Sequence, residues 1–397
     1  MKKRFLLLLI LIIAVAGFAF LLLRNQKAAT SVKITSISTS PQVGETIRVD
    51  FAVTGGAEDF TIIALPDTQH YSDQHPELYH AQTAWIAEQV DLLNIVFVTH
   101  LGDIVQNRER DETEWIVADA AMARLDGIVP YSVLPGNHDM AQGGFAKFYG
   151  TYFPASRFED YEWWGGDFNQ NKNNYQLFSA GGDDYIILHM QFCPPDEAIA
   201  WANEVLEKYA DRRAIFSTHS FLDQESQRVG KCKSTSDGNN SGINLWNKLV
   251  RPNPNFFLVL SGHIPGAARR VDSPNGTEIF QLLSDYQDDE NYGNGYLRIM
   301  RFQPNADRIQ VTTYSPAVDA FMTDAENQFE LIYDMSGGPI PDGIVTISNG
   351  TDECTASIEQ GSCELYWTTS SGESLTAKYS GDDTFKGSES EMVLGEN

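Results

Sequence analysis

The chain has few basic residues for its size. Its 397 residues include 28 lysines and arginines against 54 aspartates and glutamates, which gives a net charge of −26. Nucleic acids and anionic membrane surfaces carry charge of the same sign and would repel such a protein. We therefore expect an acidic, solvated surface and no nucleic-acid-binding surface.

Cysteine is also scarce, and the four cysteines allow at most two disulfide bonds. Cys354 and Cys363 are close in sequence, with turn-type residues 359–361 between them, which predicts a bridge that staples a hairpin. Cys193 and Cys232 either form a second bridge or remain free, and the sequence does not decide between these two states.

Long apolar runs are absent except near the N-terminus. Residues 5–23 are uncharged and apolar, residues 2–4 are basic, and Arg24 follows the run. This pattern is typical of a signal peptide or an N-terminal membrane anchor, and small residues at 14–16 offer a cleavage site. In both cases the rest of the chain is exported. We expect an extracytoplasmic protein that is secreted or is anchored to the membrane through residues 1–30.

Five short apolar runs each lead to a residue that commonly binds metals. The runs are rich in β-branched and aromatic residues, which predicts buried strands. In an open α/β sheet, ligands bind beyond the carboxyl ends of the strands, so these residues should converge on one site. The runs cover residues 60–66, 94–101, 128–135, 214–218 and 255–261, and they lead to Asp67, Asp103, Asn137, His219 and His263.

Residues 58–335 alternate predicted strands with helix-like segments, which indicates a layered α/β domain. Periodicity predicts helices over residues 77–93, 113–125 and 196–209. An aromatic-rich segment at residues 145–178 is either a second small core or a wall that faces the substrate. The expected apolar helix faces are Leu78, Ala81, Trp85 and Leu92 in the first helix, Ile116, Ala120 and Ala123 in the second, and Ile199, Ala202, Val205, Leu206 and Tyr209 in the third.

Residues 31–57 and 336–397 show a different pattern, with short alternating strands separated by turn residues. The pattern is typical of a β-sandwich, but residues 336–397 alone are too few to complete one. We therefore expect the two segments to form one discontinuous sandwich, with the α/β domain inserted into it.

The residues at the five strand ends suit a centre of two divalent cations. Asp103 can bridge two cations, Asn137 offers a neutral oxygen, and the two histidines offer nitrogens. Such mixed ligands favour Mn, Fe or Zn over Ca or Mg. Two such cations clamp the attacking and leaving oxygens of an in-line displacement and lower the pKa of water to give a nucleophilic hydroxide. His138, tuned by the adjacent Asp139, suits a general acid.

Each of these residues alone has an ordinary structural explanation. An aspartate or an asparagine beside a glycine is common in turns, and a single histidine at a strand end is more often a satisfied polar residue than a ligand. Their joint placement at five predicted strand ends favours the metal centre.

The same residues resemble the motifs of the calcineurin-like metallophosphoesterase superfamily over about residues 58–335. The resemblance rests on Asp67, Gly102-Asp103 with Asn107, the Gly-Asn-His-Asp tetrad at residues 136–139, His219 and Gly262-His263. It implies a four-layer α/β/β/α sandwich with two metals. It also implies that Asp67 and Asp103 hold the first metal, that Asp103 with Asn137, His219 and His263 holds the second, that His138 is the acid, and that Asn107 binds substrate.

Two positions depart from the family pattern. The first motif usually has a histidine where this chain has Gln69, and the last motif usually has one where it has Pro265. Both missing histidines belong to the first metal, so we expect that site to bind weakly or to prefer a hard cation with oxygen ligands. Gln69 still offers an oxygen, and His70 and Asp285 are candidates to complete the site.

Residues 31–57 and 336–397 resemble a bacterial immunoglobulin-like module, a kind of domain that is usually a spacer or an adhesive element. Together the resemblances imply an exported metal-dependent phosphoesterase that hydrolyses a phosphate mono- or diester with metal-activated hydroxide. The alternative is a surface binding or adhesion protein in which the phosphoesterase fold has weakened activity. Gln69 and Pro265 are the residues that favour this alternative.

Overall fold

The computed structural model describes residues 30–38, 40–55, 58–233, 236–335, 342–368, 374–382 and 385–394. The chain forms two compact units, of which the larger is Glu58–Gly337 and the smaller combines residues from both sides of it. The run at residues 5–23, predicted as a signal peptide or anchor, lies outside the described residues. No helix within the ranges given above has the length and apolar character that a membrane crossing requires.

Strands predominate over helices in the described residues. The strands are β1 (Thr30–Ile37), β2 (Thr46–Gly55), β3 (Phe60–Leu65), β4 (Ile95–His100), β5 (Tyr131–Ser132), β6 (Trp164–Phe168), β7 (Asn173–Ala180), β8 (Asp183–Met190), β9 (Arg213–Thr218), β10 (Phe256–Ser261), β11 (Gly266–Asp272), β12 (Ile279–Asp285), β13 (Leu297–Gln303), β14 (Arg308–Ser315), β15 (Ala320–Met322), β16 (Phe329–Ile332), β17 (Ile344–Ser348), β18 (Glu353–Ser357), β19 (Ser362–Tyr366), β20 (Ser374–Tyr379) and β21 (Ser388–Val393). The α-helices are α1 (Gln69–Asp73), α2 (Pro76–Leu93), α3 (Glu112–Met122), α4 (Lys147–Tyr152), α5 (Asp196–Lys208) and α6 (Gly242–Leu245), which continues as a π-helical turn over Trp246–Val250.

The larger unit contains two seven-stranded sheets. The first has the order β15-β14-β13-β3-β4-β5, with β16 paired to β14, and its strands β3, β4 and β5 are parallel. The second has the order β11-β12-β10-β9-β8-β7-β6, and its strands β12, β10, β9 and β8 are parallel. Each sheet therefore brings the carboxyl ends of several strands to one edge, where ligands bind in folds of this kind.

The two sheets pack face to face, with helices on their outer faces. One core between the sheets includes Ile62 of β3 and Leu258 of β10. Ile63 and Leu65 of β3 face a second core with α2 and α3, and a third core joins the other sheet to α5 and α6. Alternate residues of β3 thus enter two cores, which explains its continuous apolar sequence. The predicted α/β fold is confirmed for this unit.

The aromatic-rich segment at residues 145–178 contributes to the second core, which the first sheet forms with α2 and α3. Tyr149, Phe153 and Phe158 have no exposed surface and pack with α2 and α3. Trp163 and Trp164 are partly buried against the same cluster. These buried aromatic residues thus join a large core of the domain, whereas the prediction was a separate small core or a wall that faces the substrate.

The ends of two helices follow directly from the local sequence. α2 has a proline in its first turn and ends at Asn94, which has a left-handed φ of 47°. The Asp111 side chain caps α3 by accepting a hydrogen bond from the Thr113 amide at 2.9 Å. The predicted helices agree with α2, α3 and α5 within a few residues at each end.

The predicted face of α2 is wrong in part, and the predicted face of α3 is wrong. Leu92 of α2 is 79% exposed, whereas Thr83 is buried. Ile116, Ala120 and Ala123 are all exposed, and α3 buries Trp115 and Ala118 instead. The buried face of α2 includes polar residues, because Gln82 donates a hydrogen bond to the Tyr296 carbonyl at 3.0 Å. For α5 the predicted face is confirmed, with Ile199, Ala202, Val205 and Leu206 buried.

The smaller unit consists of two antiparallel sheets around one hydrophobic core. The first sheet has the order β1-β2-β19 and the second β18-β17-β20-β21. β2 pairs with β19 from Thr46 opposite Tyr366 to Asp50 opposite Ser362, so segments that precede and follow the larger unit share a sheet. Side chains of both sheets, such as Val49 and Ile347, enter the core.

Both cysteine pairs form disulfide bonds, Cys193–Cys232 in the larger unit and Cys354–Cys363 in the smaller one. The predicted pairing of Cys354 with Cys363 is confirmed, but the predicted hairpin is wrong. Cys354 lies in β18 and Cys363 in β19, which belong to different sheets. A 3-10 turn at Ile358–Gln360 carries the chain from one sheet to the other, so the bond links the two sheets.

Candidate metal centre

The ends of five strands, three in one sheet and two in the other, bring the predicted ligands together. Asp67, Asp103 and Asn137 follow β3, β4 and β5 of the first sheet, and His219 and His263 follow β9 and β10 of the second. In the described part of the chain, ligand atoms of Asp103, His219 and His263 lie within 4.8 Å of one another. Residues that are far apart in sequence thus form one buried cluster.

Asp103 lies at the centre of this cluster and is almost completely buried. Its Oδ1 accepts a hydrogen bond from the His138 amide at 2.7 Å, and its Oδ2 lies 3.2 Å from Nε2 of His219. Burial alone would raise the pKa of the Asp103 carboxyl, but the adjacent histidines outweigh burial and hold the pKa below its usual range. An ionised carboxylate with oxygens directed at different neighbours suits a bridging ligand.

His219 is fully buried and is oriented by the backbone. Its Nδ1 lies 2.9 Å from the carbonyl oxygen of Leu101, which can only accept, so Nδ1 carries the hydrogen. Nε2 therefore faces the centre, 3.3 Å from Oδ1 of Asn137. Burial alone would lower the pKa of His219, but the charge of Asp103 outweighs burial and raises it. The ring is held as a metal-ligating histidine usually is.

His263 completes the nitrogen side of the cluster. Its ring centroid lies 4.8 Å from that of His219 and 5.2 Å from that of Phe192, which packs beside both histidines. Burial, followed by the charge of His219, lowers the pKa of His263 to about 3. The ring is therefore neutral at physiological pH, as a metal ligand must be.

Two glycines leave room for the carboxylates. A Cβ atom at Gly136 would lie 2.2 Å from Oδ1 of Asp103, and one at Gly262 would lie 2.1 Å from Oδ1 of Asp67. No side chain fits at these distances, so each carboxylate packs directly against backbone. This contact explains why a glycine precedes Asn137 and His263 in the sequence.

Asp67 lies beside the two histidines, with its Oδ2 4.0 Å from Nδ1 of His219. It is buried, and its two oxygens accept hydrogen bonds from the His263 amide at 3.2 and 3.3 Å. Burial, followed by the charges of Asp285 and Asp103, raises the pKa of Asp67 well above its usual value. Asp67 is thus a buried acid that lies close to two other buried acids.

Gln69, predicted as a replacement for a histidine ligand, is also buried at this side. Its Nε2 donates to Oε1 of Gln287, while its own Oε1 is buried and has no hydrogen-bond partner among the described residues. An unsatisfied buried oxygen costs about 1–3 kcal/mol. A cation bound beside Asp67 and Asp103 would satisfy this oxygen, so the residues present fit a second divalent cation.

His138 lies next to the cluster and is half-buried. Its ring Nδ1 lies 3.0 Å from the carbonyl oxygen of Gln106. Because a carbonyl only accepts, Nδ1 carries a hydrogen and Nε2 is the atom that can exchange a proton. This arrangement suits the predicted acid.

The structure corrects the predicted role of Asp139 in tuning His138. The buried Asp139 carboxylate accepts hydrogen bonds from the amides of Ile104 (3.0 Å), Val105 (2.9 Å) and Gly136 (2.8 Å), and the ring of His138 contacts a backbone carbonyl instead. Burial raises the pKa of Asp139 to about 7, against the opposing effect of these amides. Asp139 therefore joins the loop after Asp103 to the Gly-Asn-His-Asp tetrad.

Sequence reasoning missed Glu114. This buried residue of α3 accepts hydrogen bonds from the amides of Gln106 and Asn107, both at 2.8 Å, and from the Asn107 side chain. Burial raises its pKa. The sequence feature that could have indicated its burial is its position directly before Trp115 on an otherwise apolar face of α3. Glu114 positions the predicted substrate-binding residue Asn107 and the carbonyl that orients His138.

His70, a candidate to complete the first site, lies apart from the three-residue cluster. Its ring stacks on Tyr292 with centroids 4.3 Å apart. Burial lowers the pKa of His70, and its Nδ1 has no hydrogen-bond partner among the described residues. A role for His70 as a ligand stays a prediction.

The chain is similar to proteins of known sequence and structure. It is 38% identical over 270 residues to the uncharacterized protein YvnB of Bacillus subtilis (strain 168), a match that covers 65% of this chain and 20% of YvnB. The chain thus spans about a fifth of the length of this relative.

Two solved structures are similar at low sequence identity. A dimetal phosphatase from Danio rerio has a TM-score of 0.44 at 13% identity, covering 69% of this chain and 99% of that one. A 5'-nucleotidase from Candida albicans SC5314 has a TM-score of 0.41 at 13% identity, and the match covers 61% of this chain and 47% of that one.

A family model gives the assignment. The model described as calcineurin-like phosphoesterase matches residues 60–267, which is more than half of the 397 residues. The matched range contains β3, β4, β5, β9 and β10 together with the residues that follow each of them at the cluster. The chain therefore belongs to the calcineurin-like phosphoesterase family.

Proposed function

We propose that this protein hydrolyses a phosphate mono- or diester with two divalent cations that Asp103 and the residues around it would hold. The observation that carries the proposal is the buried cluster of Asp103, His219 and His263. Family membership supports a phosphoric ester hydrolase as the class of enzyme.

The two cation sites differ in their ligands. Asp103, Asn137, His219 and His263 would hold the second cation, and this mixed set suits Mn, Fe or Zn. Asp67, Gln69 and Asp103 would hold the first cation through oxygen atoms. Oxygen ligands favour a harder cation at the first site than at the second.

The side chains of the protein would position the substrate and transfer a proton. When bound, the cations provide charge stabilisation for an in-line displacement and lower the pKa of water. The Gln106 carbonyl fixes Nδ1 of His138 as a donor, so Nε2 is the atom through which His138 would transfer a proton. Glu114 uses one hydrogen of the Asn107 amide group, which leaves the other to donate to a phosphoryl oxygen.

The smaller unit and the cysteines support an exported protein. We assign residues 31–57 and 336–397 to one immunoglobulin-like module that is interrupted by the phosphoesterase domain at residues 58–335. The pairing of β2 with β19 supports this assignment. The two disulfide bonds are consistent with an extracytoplasmic location, to which residues 1–30 would direct the chain as a signal peptide or as an anchor.

The test is hydrolysis by the purified protein, residues 24–397, of aryl phosphate mono- and diesters with Mn, Fe, Zn or Mg. We expect turnover that Asp103→Asn abolishes and that His138→Ala lowers by about 100-fold or more. Glu88→Gln, an exposed change on α2, is the matched control and should leave turnover unchanged. Absence of turnover with every metal would instead favour the surface binding protein as the function.

A further inference from the structure

Asp285 is a buried carboxylate at the metal-binding edge of the sheet. It ends β12 and has no exposed surface. β12 runs parallel to β10, with Leu283 opposite Ser261. Continuing this register by two residues places Asp285 level with His263. The second sheet therefore brings Asp285 to the carboxyl ends of β9 and β10, beside the residues that follow those strands.

Among the described residues, His219 is the one cationic side chain that acts strongly on Asp285. The charge of Asp285 acts on Asp67 more strongly than that of Asp103 does. Of the described residues, no lysine or arginine is among the main electrostatic partners of Asp67 or Asp285. Buried carboxylates are normally paired with a cation or bound to a metal. A bound cation would therefore stabilise this group of carboxylates.

Gln287 joins Asp285 to Gln69. Its amide and its Nε2 donate to the two Asp285 oxygens at 3.0 and 2.6 Å, and its Oε1 accepts from Nε2 of Gln69. The carbonyl oxygen of Gln69 remains buried and without a hydrogen-bond partner in the described ranges. Side chains that ligate metals are commonly oriented by such outer hydrogen bonds. Gln287 thus fixes two oxygen donors beside Asp67.

We infer that Asp285 is a ligand of the first cation and forms an all-oxygen site with Asp67, Gln69 and Asp103. The inference rests on the two-cation centre of the proposed function. Asp285 takes the place of the histidine that is missing at Pro265. Carboxylate and amide oxygens suit Mn or Mg, whereas imidazole suits Zn. The first site therefore takes a hard divalent cation, and the two sites of one centre differ in metal preference.

Metal binding by an Asp285→Asn variant tests this inference directly. We expect the wild-type protein to bind two equivalents of Mn in a calorimetric titration and to show the electron paramagnetic resonance signal of a coupled Mn pair. Asp285→Asn should weaken the first site by roughly 10–100-fold, leave one tight equivalent and abolish the coupled signal. Asp288→Asn, an exposed change of the same charge three residues later, should retain both.

A second variant keeps the test decisive if Asp285→Asn does not fold. Gln69→Ala should also weaken the first site, and melting temperatures of both variants report whether they fold. Two tight equivalents of Mn in both folded variants, or a single equivalent in the wild type, would overturn the inference. Two equivalents that depend on Asp285 in a protein without ester hydrolysis would instead overturn the proposed function and leave this inference standing.

Discussion

The metal centre depends on backbone that approaches two carboxylates without an intervening side chain. Asp103 packs against Gly136 and Asp67 packs against Gly262. In both cases an added methyl group would overlap a carboxylate oxygen. Glycine at these positions is therefore a requirement of the site as much as of the turn.

Gly262→Ala should weaken Mn binding by about tenfold or more, because the new Cβ displaces Asp67. Calorimetric titration with Mn measures this change. Gly150→Ala is the matched control, because a Cβ at Gly150 of α4 meets nothing within 4 Å. The control should bind Mn normally and gain about 0.5–1 kcal/mol of stability. Equal Mn affinity in the two variants would contradict the proposed role of Asp67.

Gln69→His should shift the metal preference of the first site from Mn towards Zn, because an imidazole replaces an amide oxygen. Competition between Zn and Mn, followed by electron paramagnetic resonance, measures the shift. Gln42→His, an exposed change before β2, should have no effect on this competition. An unchanged preference in Gln69→His would show that residue 69 is not a ligand.

The residues at the strand ends could be predicted because the strands themselves could be predicted. Asp67, Asp103 and His219 each follow an apolar run that forms a strand in the structure. The function of Asp139 could not be predicted, because it depends on three amides that only the folded loop brings together. Burial of Glu114 likewise depends on tertiary packing.

At the scale of elements, the loop after β4 is held from two sides. Asp139 binds the amides of Ile104 and Val105, and Glu114 of α3 binds those of Gln106 and Asn107. The same loop presents the carbonyl that orients His138. A helix that is outside the cluster thus contributes to its geometry.

Glu114→Gln should lower kcat by about tenfold with little change in KM, because the loop loses an acceptor that orients His138 and Asn107. We also expect a loss of about 1–3 kcal/mol in the free energy of unfolding. Steady-state kinetics and chemical denaturation measure the two effects. Glu112→Gln, an exposed change two residues earlier in α3, should alter neither. Unchanged kcat in Glu114→Gln would show that the loop does not need this carboxylate.

Helix faces show where sequence periodicity is insufficient. α5 has a clear division between apolar and charged residues, and its buried face was predicted correctly. α2 buries Gln82 and Thr83 and exposes Leu92. Its buried polar groups form hydrogen bonds, such as that from Gln82 to the Tyr296 carbonyl, which a pattern of apolar residues cannot indicate.

At the scale of the whole molecule, each disulfide bond belongs to a different unit. Cys193–Cys232 closes a separation of 39 residues next to Phe192, which packs against both histidines of the cluster. Cys354–Cys363 closes a separation of 9 residues and links the two sheets of the smaller unit. The effects of removing them should therefore be separable.

Replacing both cysteines of a bond by serine should destabilise the affected unit, by about 4 kcal/mol for Cys193–Cys232 and about 2–3 kcal/mol for Cys354–Cys363. Each double variant serves as the control for the other. Hydrolysis should fall when Cys193–Cys232 is removed and should be retained when Cys354–Cys363 is removed. Calorimetric unfolding and the ester assay measure these effects, and loss of hydrolysis in both variants would argue against separate units.

The proposed centre would bind one cation through nitrogen and oxygen ligands and the other through oxygen ligands alone. Diffraction at the Mn absorption edge from crystals soaked with Mn locates both cations. We expect two anomalous peaks roughly 3.5–4 Å apart, one beside His219 and His263 and the other beside Asp67, Gln69 and Asp285. A single peak, or no peak beside the two histidines, would rule out this two-cation centre.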